Sequence, residues 1–188
     1  MKEVLIGKRI KLCRPVCCPE TGKAIFTIVN KCKEEFIPWL GWGADYTNED
    51  ALNFLKTAES DWKNNAQFVY AIYLENTLIG VISALNIAWQ HKRAEIGYWL
   101  DTYYTGNGYM TEAVRMIEKE LFDNNFNRIV ICTDVLNVRS AKIPRTLGYK
   151  LDGILRQDIY SEPNNRFRDR NVFSKLKSDY DKEQLVQR

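Results

Sequence analysis

Between residues 94 and 122 the hydrophobic pattern changes period once, across a pair of glycines, and that change sharply limits the folds open to the chain. Ala94-Glu95-Ile96-Gly97-Tyr98-Trp99-Leu100 alternates as a strand does, with Ala94, Ile96, Tyr98 and Leu100 on one face and Glu95, Gly97 and Trp99 on the other. Met110, Ala113, Val114, Ile117, Leu121 and Phe122 then recur at the spacing of one helix face, the strongest helical stripe in the sequence. The junction is Thr105-Gly106-Asn107-Gly108-Tyr109-Met110-Thr111. Glycine permits positive φ, so successive N–H groups can point at one centre, and the helix start adds its free N–H groups and positive dipole end. Such a junction favours a phosphate or pyrophosphate. A tight turn into a helix is the plain alternative, and the glycine pair alone leaves the two readings even. No Gly-Lys-Ser/Thr follows, so this is not a P-loop. It also lacks the third glycine of a dinucleotide fingerprint and follows a late strand.

The rest of the chain supplies a sheet and its cover. Ile10–Cys13, Phe68–Leu74, Leu78–Leu85, Arg128–Asp134, Tyr149–Leu155 and Arg168–Leu176 read as further strands, the second and third forming a hairpin. Helices are predicted over Thr21–Lys33, from Thr47 or Asn48, after Gly108, and over Ser140–Leu147. The expected class is therefore α+β: a mixed, mostly antiparallel twisted sheet of about seven strands with about four helices. With 188 residues, 45% of them apolar, one domain is expected, its core over about 8–177 and a polar tail from 178 that frays.

A net charge of +3 with scattered basic residues predicts no nucleic-acid partner and leaves small anions as the charged ligands to consider. No apolar run reaches the roughly 20 residues of a membrane helix, and the apolar stretch near Met1 is too short for a signal peptide, so a cytoplasmic protein is expected. The odd set Cys13, Cys17, Cys18, Cys32 and Cys132 argues against a disulfide framework. Its spacing fits no zinc motif, so no metal is expected.

A second segment, Asn137-Val138-Arg139-Ser140, follows a strand end. Asn137 can donate to and accept from an amide-bearing ligand, while the structural reading of Ser140 is a helix cap. Taken in order, the strand 94–100, Gly106-Asn107-Gly108-Tyr109-Met110-Thr111-Glu112-Ala113, Asn137-Val138-Arg139-Ser140, Ile143-Pro144…Leu147-Gly148-Tyr149 and the final Arg166–Leu176 resemble the GNAT N-acetyltransferase superfamily, and within it the RimJ/RimL group of ribosomal-protein N-terminal acetyltransferases. The likeness runs over roughly residues 8–180.

The resemblance implies acetyl-CoA as cosubstrate. Backbone N–H groups of Thr105, Gly106, Asn107, Gly108, Tyr109, Met110 and Thr111 would hold its pyrophosphate. Trp99 and Leu100 would pair with the pantetheine arm, Asn137 would bond that arm, and Ser140 would sit near the sulfur. Thr105 and Met110 depart from the family's Gln/Arg and Gly/Ala, which shifts binding from side chains to backbone.

Direct transfer to an amine needs a base, a donor at the carbonyl oxygen and an acid for the thiolate. A glutamate follows the Leu-Arg-Gln segment in RimL-like enzymes. Here Ile159 holds that position, so the base is either Asp158, if a bulge re-aims it, or Glu95. His91, in a polar loop, is discounted. Trp39 and Trp42 would border the acceptor, with packing an equal alternative. Arg166, Arg168 and Arg170 alternate onto one strand face that could recognise an acidic acceptor, with a solvated edge the favoured reading. The acceptor expected is a protein N-terminal amine. A small amine (polyamine, amino sugar or antibiotic) and a non-catalytic acyl-CoA-binding module stay open, and a homodimer is expected from the resemblance.

Overall fold

The structure, a computed structural model, describes residues 1–40, 45–161 and 165–186. It is built on an eight-stranded sheet in the order β1-β2-β3-β4-β5-β6-β8-β7. The strands are β1 (Val4–Ile6), β2 (Ile10–Cys13), β3 (Phe68–Leu74), β4 (Thr77–Ala88), β5 (Arg93–Leu100), β6 (Arg128–Asp134), β7 (Lys150–Ser161) and β8 (Arg166–Leu176). Only β5 and β6 run parallel; every other neighbouring pair is antiparallel. The helices are α1 (Pro19–Lys31), α2 (Lys33–Phe36), α3 (Asn48–Asn64), α4 (Tyr109–Asp123), α5 (Val138–Thr146) and α6 (Lys177–Val186).

Both faces of the central strands are covered, which explains why Phe68–Ile72 is buried at every position rather than at alternate ones. Tyr70 and Ile72 turn towards α4, whose Met110, Ala113, Val114, Ile117, Leu121 and Phe122 pack with Ile82, Ala94 and Ile96. Ala71, Leu78 and Trp99 face Ile25 and Val29 of α1 and Leu55 of α3. Each fully buried aliphatic of the α4 stripe contributes about 1.5–3 kcal/mol, so tertiary burial rather than propensity fixes α4 on the sheet. A capping box starts α3: Thr47 Oγ1 accepts from the Asp50 N–H at 3.2 Å, and the Asp50 carboxylate accepts from the Thr47 N–H at 2.8 Å. By contrast, α4 begins on Gly108 with no side-chain cap.

The sheet has one strand more than expected, and two helices were missed. β1 is only three residues long, and its pairing with β2 rests on register rather than on a readable alternation. α2 is a single turn that continues α1 beyond Cys32. The tail expected to fray from 178 is instead helix α6. Its Tyr180 ring lies 4.8 Å from that of Phe122, and Glu183 accepts from Lys175 at 2.5 Å.

Lys175 is 1% exposed and gathers Glu118, Glu183 and the carbonyl oxygen of Leu147, which closes α5. Burial pushes the Glu118 carboxyl up, and the Lys175 charge opposes that shift. Replacing Lys175 by Met strands Glu118 without its counter-charge and should lower unfolding free energy by about 3–5 kcal/mol. Urea unfolding of Lys175→Met checks this. Adding Glu118→Leu should recover most of the loss, because the pair is then replaced by apolar volume.

Candidate active site

The groove comes from a failure of pairing. β5 and β6 are in register at Arg93/Arg128, Ala94/Ile129 and Glu95/Val130, and then separate. Among the described residues that edge of β5 has no strand partner from Ile96 to Leu100, although its other edge stays bonded to β4 as far as Leu100/Gly80. Backbone groups on such a free edge can take an extended amide-bearing arm as an added strand. Trp99 packs towards Phe36, at 5.8 Å between ring centres, and Leu100 packs towards α4.

Helix α5 closes the back of the groove. Its cap is Asn137, whose Oδ1 accepts from the Ser140 N–H at 3.0 Å, so the expected capping role of Ser140 is corrected: Ser140 is capped and lies in the first turn. Capping occupies the acceptor half of the Asn137 amide and leaves Nδ2 without an acceptor among the described residues. The Tyr98 hydroxyl donates to the Ser140 carbonyl at 3.2 Å and accepts from Ser140 Oγ at 3.4 Å. Burial drives the Tyr98 phenol up to about 12, against a smaller opposing effect of the Ser140 hydrogen bond, so it stays protonated at neutral pH. The alternation places Tyr98 only on the Ala94/Ile96/Leu100 face of its strand; its contact with Ser140 depends on how α5 lies across β5.

At one end of the groove stands the glycine loop. Gly106 and Gly108 have φ of +83° and +78°, and both are exposed with Asn107. The backbone N–H groups from Gly106 to Thr111 have no acceptor among the described residues, while Glu112 N–H already bonds the Gly108 carbonyl. Thr105 Oγ1 is turned inward to the Thr102 carbonyl at 2.8 Å, and Asn107 Nδ2 donates to the Tyr104 and Thr105 carbonyls at 3.3 and 3.2 Å. Met110 buries its side chain in the core and offers the loop only its backbone. The Thr102–Tyr104 turn, the glycines and the uncapped α4 start thus present a row of donors suited to a pyrophosphate.

The opposite face of the groove carries a charged cluster. Glu95 accepts from Asn86 Nδ2 at 2.9 Å; Asn86 sits at φ +50° where β4 bulges between Leu85 and Ala88. Cys132 lies on the same face, and burial, with the nearby Glu95 charge, raises its thiol to about 11. Register slips between Leu155 and Ile159 with Gln157 at φ +51°, so β7 does bulge. The bulge brings Asp158 to this cluster, where its carboxylate is held by Arg170. The solvated-edge reading holds for the exposure of Arg166 but is corrected for Arg168: β8 lies between β6 and β7, and Arg168 is buried against Asp134 at 3.1 Å and bonds the Pro38 carbonyl. That bond lays the segment carrying Trp39, which is 36% exposed, across the front of β8. Trp42 lies outside the described residues.

Beside the loop is a cavity of about 440 Å³ lined by Lys31, Glu35, Thr102, Tyr103, Thr105 and Arg139. It adds two cations next to Thr105. Lys31 pairs with the buried Asp101, and that hydrogen bond holds its ammonium above the ordinary value. His91 lies in an exposed turn, Trp89–His91, at the start of β5. Among the described residues no helix is long and apolar enough to cross a membrane.

The pattern of the acetyltransferase (GNAT) domain matches residues 17–150. The chain belongs to the GNAT acetyltransferases. It is 25% identical over 170 residues to a Bacillus subtilis (strain 168) protein named "Putative ribosomal N-acetyltransferase YdaF", spanning 88% of this chain and 91% of that one. It is 33% identical over 109 residues to the ribosomal-protein-serine acetyltransferase of Escherichia coli (strain K12), spanning 57% of this chain and 60% of the other. The crystal structure of a microcin C7 self-immunity acetyltransferase in complex with acetyl-CoA and AMP superposes with a TM-score of 0.84 at 27% identity, over 90% of this chain and 93% of that one. The enzyme fits the RimJ/RimL-like group and is an acetyl-CoA-dependent N-acetyltransferase. The groove, the uncapped α4 start and the free edge of β5 suit that cosubstrate.

A thiol held near 11 is a poor nucleophile at neutral pH, so the enzyme should not work through an acyl-cysteine at Cys132. Cys132→Ala is expected to keep kcat/KM within about threefold. Intact-mass spectrometry after brief exposure to acetyl-CoA should show no acetyl adduct on Cys132.

Proposed function

We propose that the enzyme acetylates a protein N-terminal α-amine, with the acceptor approaching from the Glu95 face of the groove and the thiol leaving on the Ser140 side. The observation that carries this reading is the separation of β5 from β6 just beyond Glu95, with Glu95 facing one side and Tyr98 and Ser140 the other. Acetyl-CoA supplies a thioester carbonyl and a thiol leaving group. Glu95, positioned by Asn86, takes the amine proton as the C–N bond forms. N–H groups on the free β5 edge stabilise charge on the carbonyl oxygen. Ser140 Oγ, which donates to the Tyr98 hydroxyl in the free enzyme, turns its hydrogen to the sulfur and stabilises the thiolate as the C–S bond breaks; the thiolate then takes its proton from solvent. Gly106 to Thr111 hold the pyrophosphate, and Asn137 Nδ2 bonds the pantetheine arm. Asp158 is assigned to the electrostatics of the cluster, since Arg170 occupies its carboxylate.

Two arguments favour a protein α-amine over a small polycation. An α-amine with a pKa near 8 is about a tenth unprotonated at pH 7, whereas a lysine amine near 10.4 is free in well under one part in a thousand. The ribosomal-protein names of two relatives point to the same acceptor, and with it to the cytoplasm. A homodimer remains part of the proposal. β7 is an edge strand with Leu151, Ile154 and Leu155 exposed, and light scattering tests whether it pairs.

Released CoA measured against ribosomal-protein N-terminal peptides, their N-blocked forms and polyamines tests the acceptor. Transfer to the free peptides alone is expected; equal transfer to blocked peptides or a preference for spermidine would overturn the reading. Glu95→Gln and Ser140→Ala should each lower kcat about 10²-fold with little change in acetyl-CoA affinity. Unchanged kcat in both variants removes these assignments.

A further inference from the structure

Arg9 lies far from the glycine loop in sequence, yet it grips that loop from the turn between β1 and β2. Its Nη1 donates to the Asn107 carbonyl at 2.8 Å, and its Nε donates to Glu112 at 2.8 Å. Its own backbone N–H reaches the other Glu112 oxygen at 2.9 Å, and its guanidinium carbon stands 4.8 Å from the centre of the Tyr109 ring. The turn comes this close because position 7 is glycine: a Cβ there would lie 2.7 Å from both Glu112 Oε1 and Met116 Sδ. The sequence reading gave Arg9 no role.

We infer that Arg9 is a positioning residue for the phosphate end of the cosubstrate, resting on the proposed role of Gly106 to Thr111. It acts in two ways. The Asn107–Gly108 peptide is trans and planar, so its C=O and N–H point in opposite directions. By holding the carbonyl, Arg9 turns the Gly108 N–H away from itself. That N–H has no acceptor among the described residues and belongs to Gly108, which like Gly106 sits at positive φ, in a loop whose neighbouring N–H groups also have no acceptor among the described residues. Without the guanidinium the peptide is freer to flip, because the flip turns ψ of Asn107 and φ of Gly108, and a glycine tolerates either sign of φ. The second action is electrostatic. Glu112 occupies the first turn of α4, beside the place where an anion would bind. Burial acts to raise its carboxyl, but the Arg9 hydrogen bonds and charge outweigh that and hold it below the ordinary value. Glu112 is thus an anion at neutral pH, and Arg9 cancels a charge that would repel pyrophosphate.

The test uses the full chain and two donors, acetyl-CoA and S-acetylpantetheine, which lacks every phosphate. Arg9→Gln should weaken acetyl-CoA binding by about tenfold in calorimetry, the order expected for a charge-assisted contact, while kcat/KM with S-acetylpantetheine changes less than about twofold. Arg9→Lys should restore part of the loss, since it returns the charge without the planar fork. In a Glu112→Gln background the Arg9→Gln loss should shrink, because the charge to be cancelled is gone. An equal loss with both donors would mean that Arg9 serves only the fold, and undiminished acetyl-CoA binding would mean that it serves neither; each outcome overturns the inference. Failure of the wild-type enzyme to bind acetyl-CoA is a separate result that removes the cosubstrate reading itself.

Discussion

Everything that makes this sheet a candidate active site follows from the parting of one parallel strand pair. β5 and β6 share a short ladder ending at Glu95 and Val130, after which each keeps its outer partner and loses the inner one. Unpaired backbone is costly when buried, so a gap of this kind persists only if its walls are held from outside. The β4 ladder holds β5 to its end, and the β8 ladder holds β6 through Asp134. The free edge is therefore rigid as well as unsatisfied, which is the state that binds an extended ligand with little loss of entropy.

Local features place chemistry around that gap in a fixed order. The glycine loop lies where β5 runs out, α5 lies behind, and the bulges of β4 and β7 lean Asn86 and Asp158 over the front. Bulges commonly re-aim a side chain beside a site, and here two of them converge on one face. The charges they gather are not free to recruit an arbitrary ion. Arg170 and Arg168 are committed to Asp158 and Asp134, while Glu95 is held by neutral donors, the Asn86 amide and the Cys132 thiol.

The sequence was most informative where periodicity and punctuation coincide. The strand at 94–100, the two glycines and the α4 stripe are local patterns, and each element formed where its residues called for it. The bulge on which a re-aimed Asp158 depended is present, with Gln157 at positive φ, but it delivers the carboxylate to Arg170. Other features were not legible because they join distant residues. Arg9 and Asn107 meet through the placement of the β1–β2 turn on α4, and Tyr98 meets Ser140 through the tilt of α5. The cap at Asn137 rather than Ser140 was a local choice that spacing left undecided: the strand runs out before Asn137, so the helix starts earlier than the apolar pattern indicated.

The buried ammonium of Lys175 ties the last helix to the far end of α5, through Glu183 on one side and the Leu147 carbonyl on the other. Gly148, at φ +75°, leaves no room between them: a Cβ there would stand 2.6 Å from Glu183. The helix that carries Asn137 and Ser140 is thus clamped at its rear by residues that follow the sheet in sequence. For protein engineering, this makes the α6 segment a poor place for a cleavable tag or a trimmed boundary, since a cut there would slacken the mounting of the groove's back wall while leaving every groove residue in place.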